Sequence, residues 1–416
     1  MMRLKELIER AKKRGKKFTL LGVGPVSETT VRATMNLAKR WNCPPMLIAS
    51  RNQVDGLSFG GGYLMGGMDQ LRFVELIRKF QAGAGYEGPL YICRDHGGPW
   101  QRDEELRNRY PAARAMDLAR RSFEEDLRAG FNYLHVDPTK CPFAFTPEDL
   151  CTWTVELIEH CEQIRCSLGL APVDYEIGAE DIRGGITSER DFESFLKTIS
   201  KKLEQAGLPQ PTSIVGQTGT LTRLDYNAGH FDRESTARLA GIAARYGVGF
   251  KEHNGDYLSA VSCRAHPELG VTGMNVAPEF GLTETDALLA LEAQESKLVR
   301  EGWIAPGQAS HLLERLRELT FLEAPWEKWM TEEIRQLPRE QVAQDSSLRL
   351  LITRVCGHYL FSNDQVKENV EKLFDNVDRY KLIPQSAADF VRQRVETGIE
   401  FYIDNFALAG LNDVLA

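Results

Sequence analysis

Short apolar runs recur along the chain at 18–23, 45–50, 88–94, 131–136, 174–178, 212–216, 248–252 and 270–276. Each is too short for an ordinary helix, and each is bounded by Gly, Pro, Asn or Asp. They therefore read as buried strands. Between them the apolar positions follow a helical period over 27–41, 68–80, 100–129, 146–168, 188–206, 233–246 and 283–302. Strand, helix, strand at this spacing implies parallel βα units. Eight such units predict a closed (β/α)8 TIM barrel, because closure removes the exposed sheet edges. Past about residue 305 the strand signal fades and helical patterning continues, with turns near Pro325, Pro338 and Asn363. The expected organisation is a barrel domain over 1–305 and a helical C-terminal extension over 306–416. The extension packs on the barrel, where it covers the mouth or forms a subunit contact.

A barrel fold gives the strand ends a chemical meaning, since the C-terminal ends of all eight strands meet at one mouth. Those ends are polar here. The third strand leads into Arg94-Asp95-His96-Gly97-Gly98, the fourth carries His135 and ends at Asp137, and the fifth leads to Glu180-Asp181. The sixth leads to Gln217, the seventh ends in Glu252-His253-Asn254-Gly255-Asp256, and the eighth contains Gly273 and Asn275. Two imidazoles, one carboxylate and an amide oxygen form a donor set for a divalent metal. Nitrogen ligands favour zinc, while the oxygen donors also admit manganese or magnesium. Such an ion polarises a carbonyl and stabilises an enediolate, and a neighbouring carboxylate moves the proton. Asp95 and Asp137 are candidates for that carboxylate, and Asp256 could instead orient a hydroxyl. A lone Asp-His pair is more often a hydrogen-bonded cap than a metal site. His96 and His253 on separate strand ends tilt the reading toward ligation. His160 and His311 lie in helical patterns and are expected to be structural or exposed.

Composition narrows the function classes. A net charge of -8 gives no electrostatic footprint for nucleic acid. No segment reaches the roughly 18 apolar residues of a membrane span, and the charged 1–17 segment lacks the apolar centre of a signal peptide. Eight cysteines without a CxxC pair read as reduced thiols of a cytoplasmic protein. Neither a phosphate-binding P-loop nor a Gly-x-Ser-x-Gly elbow is present. The segment around Gly273, ahead of a helix, could offer backbone N–H groups to a phosphate.

Several of these motifs together resemble a known family. They are Ser50-Arg51-Asn52-Gln53-Val54, the glycines before Tyr63, Asp95-His96-Gly97-Gly98-Pro99, His135-Val136-Asp137 and Gly178-Ala179-Glu180. Gln217-Thr218-Gly219, Glu252-His253 with Asp256-Tyr257, Asn275-Val276-Ala277-Pro278 and a tail from His358-Tyr359 to Asn369-Val370 complete the set. The chain resembles the GatZ/KbaZ-like subunit of class II D-tagatose-1,6-bisphosphate aldolase, itself similar to zinc-dependent ketose-bisphosphate aldolases. The resemblance implies a metal-dependent lyase with Asp95 as proton-transfer residue. It implies metal ligands at His96, Glu180 and His253, with Gln217 standing where the aldolases have a further His. Asn52, Gln53, Arg94, His135, Gly273 and Asn275 are the expected sugar contacts. The implied cofactor is Zn2+, with Mn2+ as the alternative. The implied partners are a sugar or sugar phosphate, and a second copy or a separate aldolase subunit. One departure matters: Asn254-Gly255-Asp256 replaces a Gly- and Ser-rich phosphate loop, and its carboxylate repels phosphate. A ketose or hexuronate epimerase and a non-catalytic subunit of an aldolase complex therefore stand beside the aldolase reading.

Overall fold

A computed structural model of the chain describes residues 2–178 and 186–415. Eight parallel strands close into a barrel: β1 (Leu20–Val23), β2 (Met46–Ser50), β3 (Tyr91–Gly97), β4 (Tyr133–Val136), β5 (Asp174–Gly178), β6 (Ser213–Val215), β7 (Gly249–Glu252) and β8 (Val271–Val276). Each pairs with its neighbour in sequence, and β8 returns to β1 with Gly273 beside Leu20. The TIM-barrel expectation holds. Most strands lie inside their expected runs, trimmed by one or two residues at the start.

The third strand departs from this, and the departure positions the site. It begins three residues late, after the turn in which the Tyr86 hydroxyl donates to the Pro89 carbonyl. It then runs on through Asp95, His96 and Gly97. Register against β4 slips between Arg94 and Gly97, and His96 sits at φ 44°. This bulge breaks the alternation of side chains along the strand. Arg94 points out toward the surrounding helices, while Asp95 and His96, consecutive in sequence, both face the mouth. The backbone strain at His96 is of the kind that clusters at functional positions.

The helices follow the expected pattern with three differences. The 100–129 stretch divides into Asp103–Arg107 and Ala112–Ala129, the second starting right after Pro111. The helix after β8 starts early, at Pro278, where a proline fits the first helical turn. Two helices are absent from the expected set: Leu4–Lys13, and Ala260–Leu269, which separates β7 from β8. The β6 loop also carries a two-stranded hairpin, Thr222–Arg223 with Tyr226–Asn227.

The C-terminal region is helical. Its segment up to the last helix builds two satellite cores, one around Leu291, Leu316 and Leu373 and one around Phe321, Trp326 and Ile352. The last helix, Ala387–Asn405, returns to the barrel. It packs on Glu28–Trp41, Pro278–Arg300 and Ala260–Leu269. Its Val395, Ile399, Tyr402 and Ile403 are buried in the same core as the strands. Each of the aliphatic side chains contributes roughly 1.5–3 kcal/mol by burial. At the opposite end, Leu4–Lys13 closes the barrel floor, where the Leu4 N–H and the Arg3 guanidinium donate to Asp174. All eight cysteines are free thiols. Among the described residues no helix is long and apolar enough to cross a membrane.

Candidate active site

Four strand ends bring three imidazoles and three carboxylates together at the mouth. His96 directs Nδ1 to Asp137 Oδ2 at 2.7 Å, and Asp137 also accepts from the Thr139 N–H and hydroxyl. His253 directs Nε2 to Glu176 Oε1 at 3.2 Å, and Glu176 is held from below by Lys251 Nζ at 2.7 Å. Each imidazole thus has a carboxylate on its outer nitrogen. Their remaining nitrogens, His96 Nε2 and His253 Nδ1, face one another at 3.2 Å. If both outer nitrogens carry the proton, two lone pairs point at one spot, which calls for a cation or a shared proton there. This carboxylate–histidine arrangement is the usual support of metal-bound histidines.

Asp95 stands over the same spot, with Oδ1 3.9 Å from His253 Nε2 and 4.0 Å from His96 Nε2, and Asn275 Nδ2 donates to it at 3.0 Å. His135 lies beneath. Its Nδ1 accepts the His96 backbone N–H, and among the described residues its buried Nε2 has no partner. The donor atoms of Asp95, His96 and His253, and those of His135, Glu176 and His253, lie within 4.8 Å of one another. The residues present therefore fit a divalent cation.

Electrostatics follows from this packing. Burial works to raise the Asp95 pKa, but His96, His135 and His253 hold the carboxyl well below its ordinary range. Burial works to lower the His96 pKa, but Asp95 and Asp137 push it up to about 9. Glu176 is held low, against burial, chiefly by Lys251. A metal taking His96 must displace a proton below about pH 9, so affinity rises with pH.

The mouth opens into a cleft of about 250 Å³ lined by Asn52, Gln53, Asp95, His96, His253, Asp256 and Asn275. Other expected residues lie elsewhere. Asp137 and His135 support the cluster from below. Arg94 is wholly buried outside the barrel, where it pairs with Asp126 and donates to the Ala49 and Val54 carbonyls. Gly273 lies within β8, where a Cβ would come 3.2 Å from Lys251 Cγ, so its role is room for that side chain. The Gln217 backbone binds Thr187, and Gln217 is not among the residues lining the cleft. Glu180 falls outside the described residues.

Asp256 has a local role that its sequence position does not reveal. Its Oδ1 accepts the backbone N–H groups of Ala277 and Glu279, and Thr222 donates to Oδ2. It thus fills the start of the helix after β8, the place where phosphate binds in many barrels. Burial and the nearby Glu279 push it to about 7.

Sequence reasoning missed Glu176, Lys251, Tyr63 and Lys140. It also missed Lys328 and Trp329 in the wall supplied by the C-terminal region, which His358 and Tyr359 of the family-like tail complete. The Trp329 indole donates to the Tyr359 hydroxyl, and the Tyr359 ring lies 4.6 Å from that of Tyr63. Opposite charges inside two nearby strand runs were the available signal for Glu176 and Lys251. Next to the cleft, sharing Tyr63 and His358 with it, is a cavity of about 390 Å³. Its wall includes the buried Glu284, which accepts a hydrogen bond from the Ser27 hydroxyl.

Known proteins place this architecture. No curated protein sequence matches the chain. The crystal structure of a probable tagatose 6 phosphate kinase from Sinorhizobium meliloti 1021 is similar, with 20% identity over 93% of this chain and 100% of that one and a TM-score of 0.73. A fructose-bisphosphate aldolase from Campylobacter jejuni is similar at 12% identity, over 98% and 96% of the two chains, with a TM-score of 0.57. At these identities the likeness establishes the fold. The family match goes further, spanning residues 4–406, and the chain belongs to the D-tagatose-1,6-bisphosphate aldolase subunit GatZ/KbaZ-like family.

Proposed function

We propose that the chain is a metal-dependent carbohydrate lyase of the aldolase type, acting on a ketose or its phosphate through an enediolate. The observation that carries this is the pair of imidazole nitrogens facing each other at 3.2 Å, each backed by a carboxylate and overlooked by Asp95. His96 Nε2 and His253 Nδ1 would hold the ion, with Asp95 above it to move the proton. A divalent ion there, Zn2+ foremost by its nitrogen ligands, supplies Lewis-acid polarisation of a substrate carbonyl.

The chain's own residues do the rest. Asp95 is kept ionised by its three histidine neighbours, so it is in the proton-accepting state at neutral pH. Asn275 fixes its orientation. Asp137 and Glu176 fix the two imidazole rings. Asn52 and Gln53 line the cleft and would contact substrate hydroxyls. An epimerase needs a second mobile proton-transfer group. Asp137 and Asp256 were the candidates, and each carboxylate is engaged by three donors. That favours cleavage over epimerisation.

The family's designation as a subunit favours a second reading, in which the chain works in complex with a separate aldolase chain. Asp95→Asn separates the two. In the catalytic reading it retains fold and metal while carbon-bound proton exchange with ketoses drops roughly 10²–10⁴-fold. Full exchange in the metal-loaded variant would refute Asp95 as the base. A wild-type chain that binds metal and exchanges no proton with any ketose tested would favour the subunit reading.

A further inference from the structure

Two ammonium groups also line the cleft: Lys140 from the loop after β4 and Lys328 from the turn Trp326–Lys328, together with Asn52 and Gln101. Among the described residues, Lys140 has no hydrogen bond and no carboxylate within 4.0 Å. Lys328 has one ion-pair partner, Asp103, at 3.5 Å, and both side chains of that pair are nearly half exposed. A pair of this kind stabilises little and is readily exchanged for another anion. Asp103 is further engaged by Asn52, through its backbone N–H and its carboxylate. Burial and the neighbouring Lys328 both lower the Lys140 pKa, against the pull of Asp137, Asp103 and Asp95, so the two ammonium groups feel one another. Lys140 thus lines the cleft without an ion pair of its own among the described residues, and Lys328 holds only an exposed one. The helix start after β8 cannot supply an anion site, because Asp256 already occupies it.

We propose that Lys140 and Lys328 form the subsite for an anionic end group of the substrate, a phosphate monoester or a carboxylate. This deepens the proposed lyase reading by naming the substrate class. It also gives the C-terminal region a function: through Lys328 it selects the charged end while the barrel holds the reacting end. Lys140 and Lys328 act as point charges with rotatable donors, which suits a tetrahedral or a planar oxyanion.

The test is calorimetric titration of the full-length chain with three probes of one backbone: glycerol 3-phosphate, glycerate and glycerol. Wild type should bind one or both anions at least 10-fold more tightly than glycerol, and the preferred anion identifies the end group. Lys140→Met should weaken that anion about 10-fold or more, the loss expected for one charge-assisted contact. Lys328→Met should weaken it by a smaller factor, and Lys140→Arg should restore most of the binding. Glycerol should bind all variants alike. An anion preference that persists within 2-fold in the double Lys→Met variant overturns the proposal, as does a wild type without anion preference. Metal-stripped His96→Ala serves as the separating control. Preference retained there and lost in the lysine variants supports the subsite even if the metal chemistry fails. Preference lost there and kept in the lysine variants assigns the anion to the metal cluster and overturns the subsite.

Discussion

Replacing Glu284 by Gln should make the protein more stable at pH 8 while leaving it unchanged near pH 4.5. Glu284 is 5% exposed on the helix after β8, beside the larger cavity. Burial raises its pKa from 4.5 to about 7, against the opposing hydrogen bonds of Ser27 and Thr29. The folded chain therefore holds a proton that the unfolded chain has released between those two values. Stability from this group is complete below about pH 4.5, falls as pH rises toward 7, and is flat above. A displacement of that size corresponds to about 3 kcal/mol. Gln keeps the shape, still accepts from Ser27 and never ionises, so it removes the decline. The assay is denaturant unfolding followed by tryptophan fluorescence at several pH values, read as the difference between variant and wild type. Asp256, also raised to about 7, contributes the same trend to both proteins and cancels in that difference. A difference that stays constant from pH 4.5 to 8 would show that Glu284 is charged throughout, and the reasoning would fail.

Arg94→Met should destabilise the fold by about 3–5 kcal/mol, because it leaves Asp126 buried without its cation. A loss below about 1 kcal/mol in the denaturation midpoint would return Arg94 to the list of substrate contacts. Asp137→Ala should weaken zinc binding about 10–100-fold by freeing the outer nitrogen of His96, measured by competition with a chromophoric chelator. Unchanged affinity would show that Asp137 orients nothing.

The barrel was legible because buried parallel strands and amphipathic helices leave separate periodic signatures. The helix Ala260–Leu269 escaped because it is short and its buried residues, Cys263, Ala265, His266 and Pro267, include a histidine and a proline rather than large aliphatic side chains. His96 and His253 were found from their strand ends. The bulge that turns His96 beside Asp95 was invisible, since it depends on pairing with β4 rather than on local sequence. Arg94 was misplaced for the same reason: a charge next to Asp95 reads as part of the site until the strand's alternation is known. Lys328 and Trp329 carried no signal at all, because their place at the mouth is set by how the C-terminal helices pack. Asp256 was read as hostile to phosphate from its charge alone; the sequence did not reveal that its carboxylate takes the helix N–H groups.

The return of the last helix, Ala387–Asn405, has a consequence for how the chain acquires its structure. Its buried face completes the core around β1, and Phe406 accepts the Thr19 N–H at 3.1 Å. Nearly the whole sequence lies between these partners. During synthesis, the first strand must wait for residues 387–406 before its outer covering arrives, and a contact of such long range is slow to form. Until then the apolar backs of β1 and of Glu28–Trp41 are exposed to other chains and to proteases. A chain truncated ahead of the Ala387–Asn405 helix is thus an unfinished barrel rather than a barrel lacking an appendage.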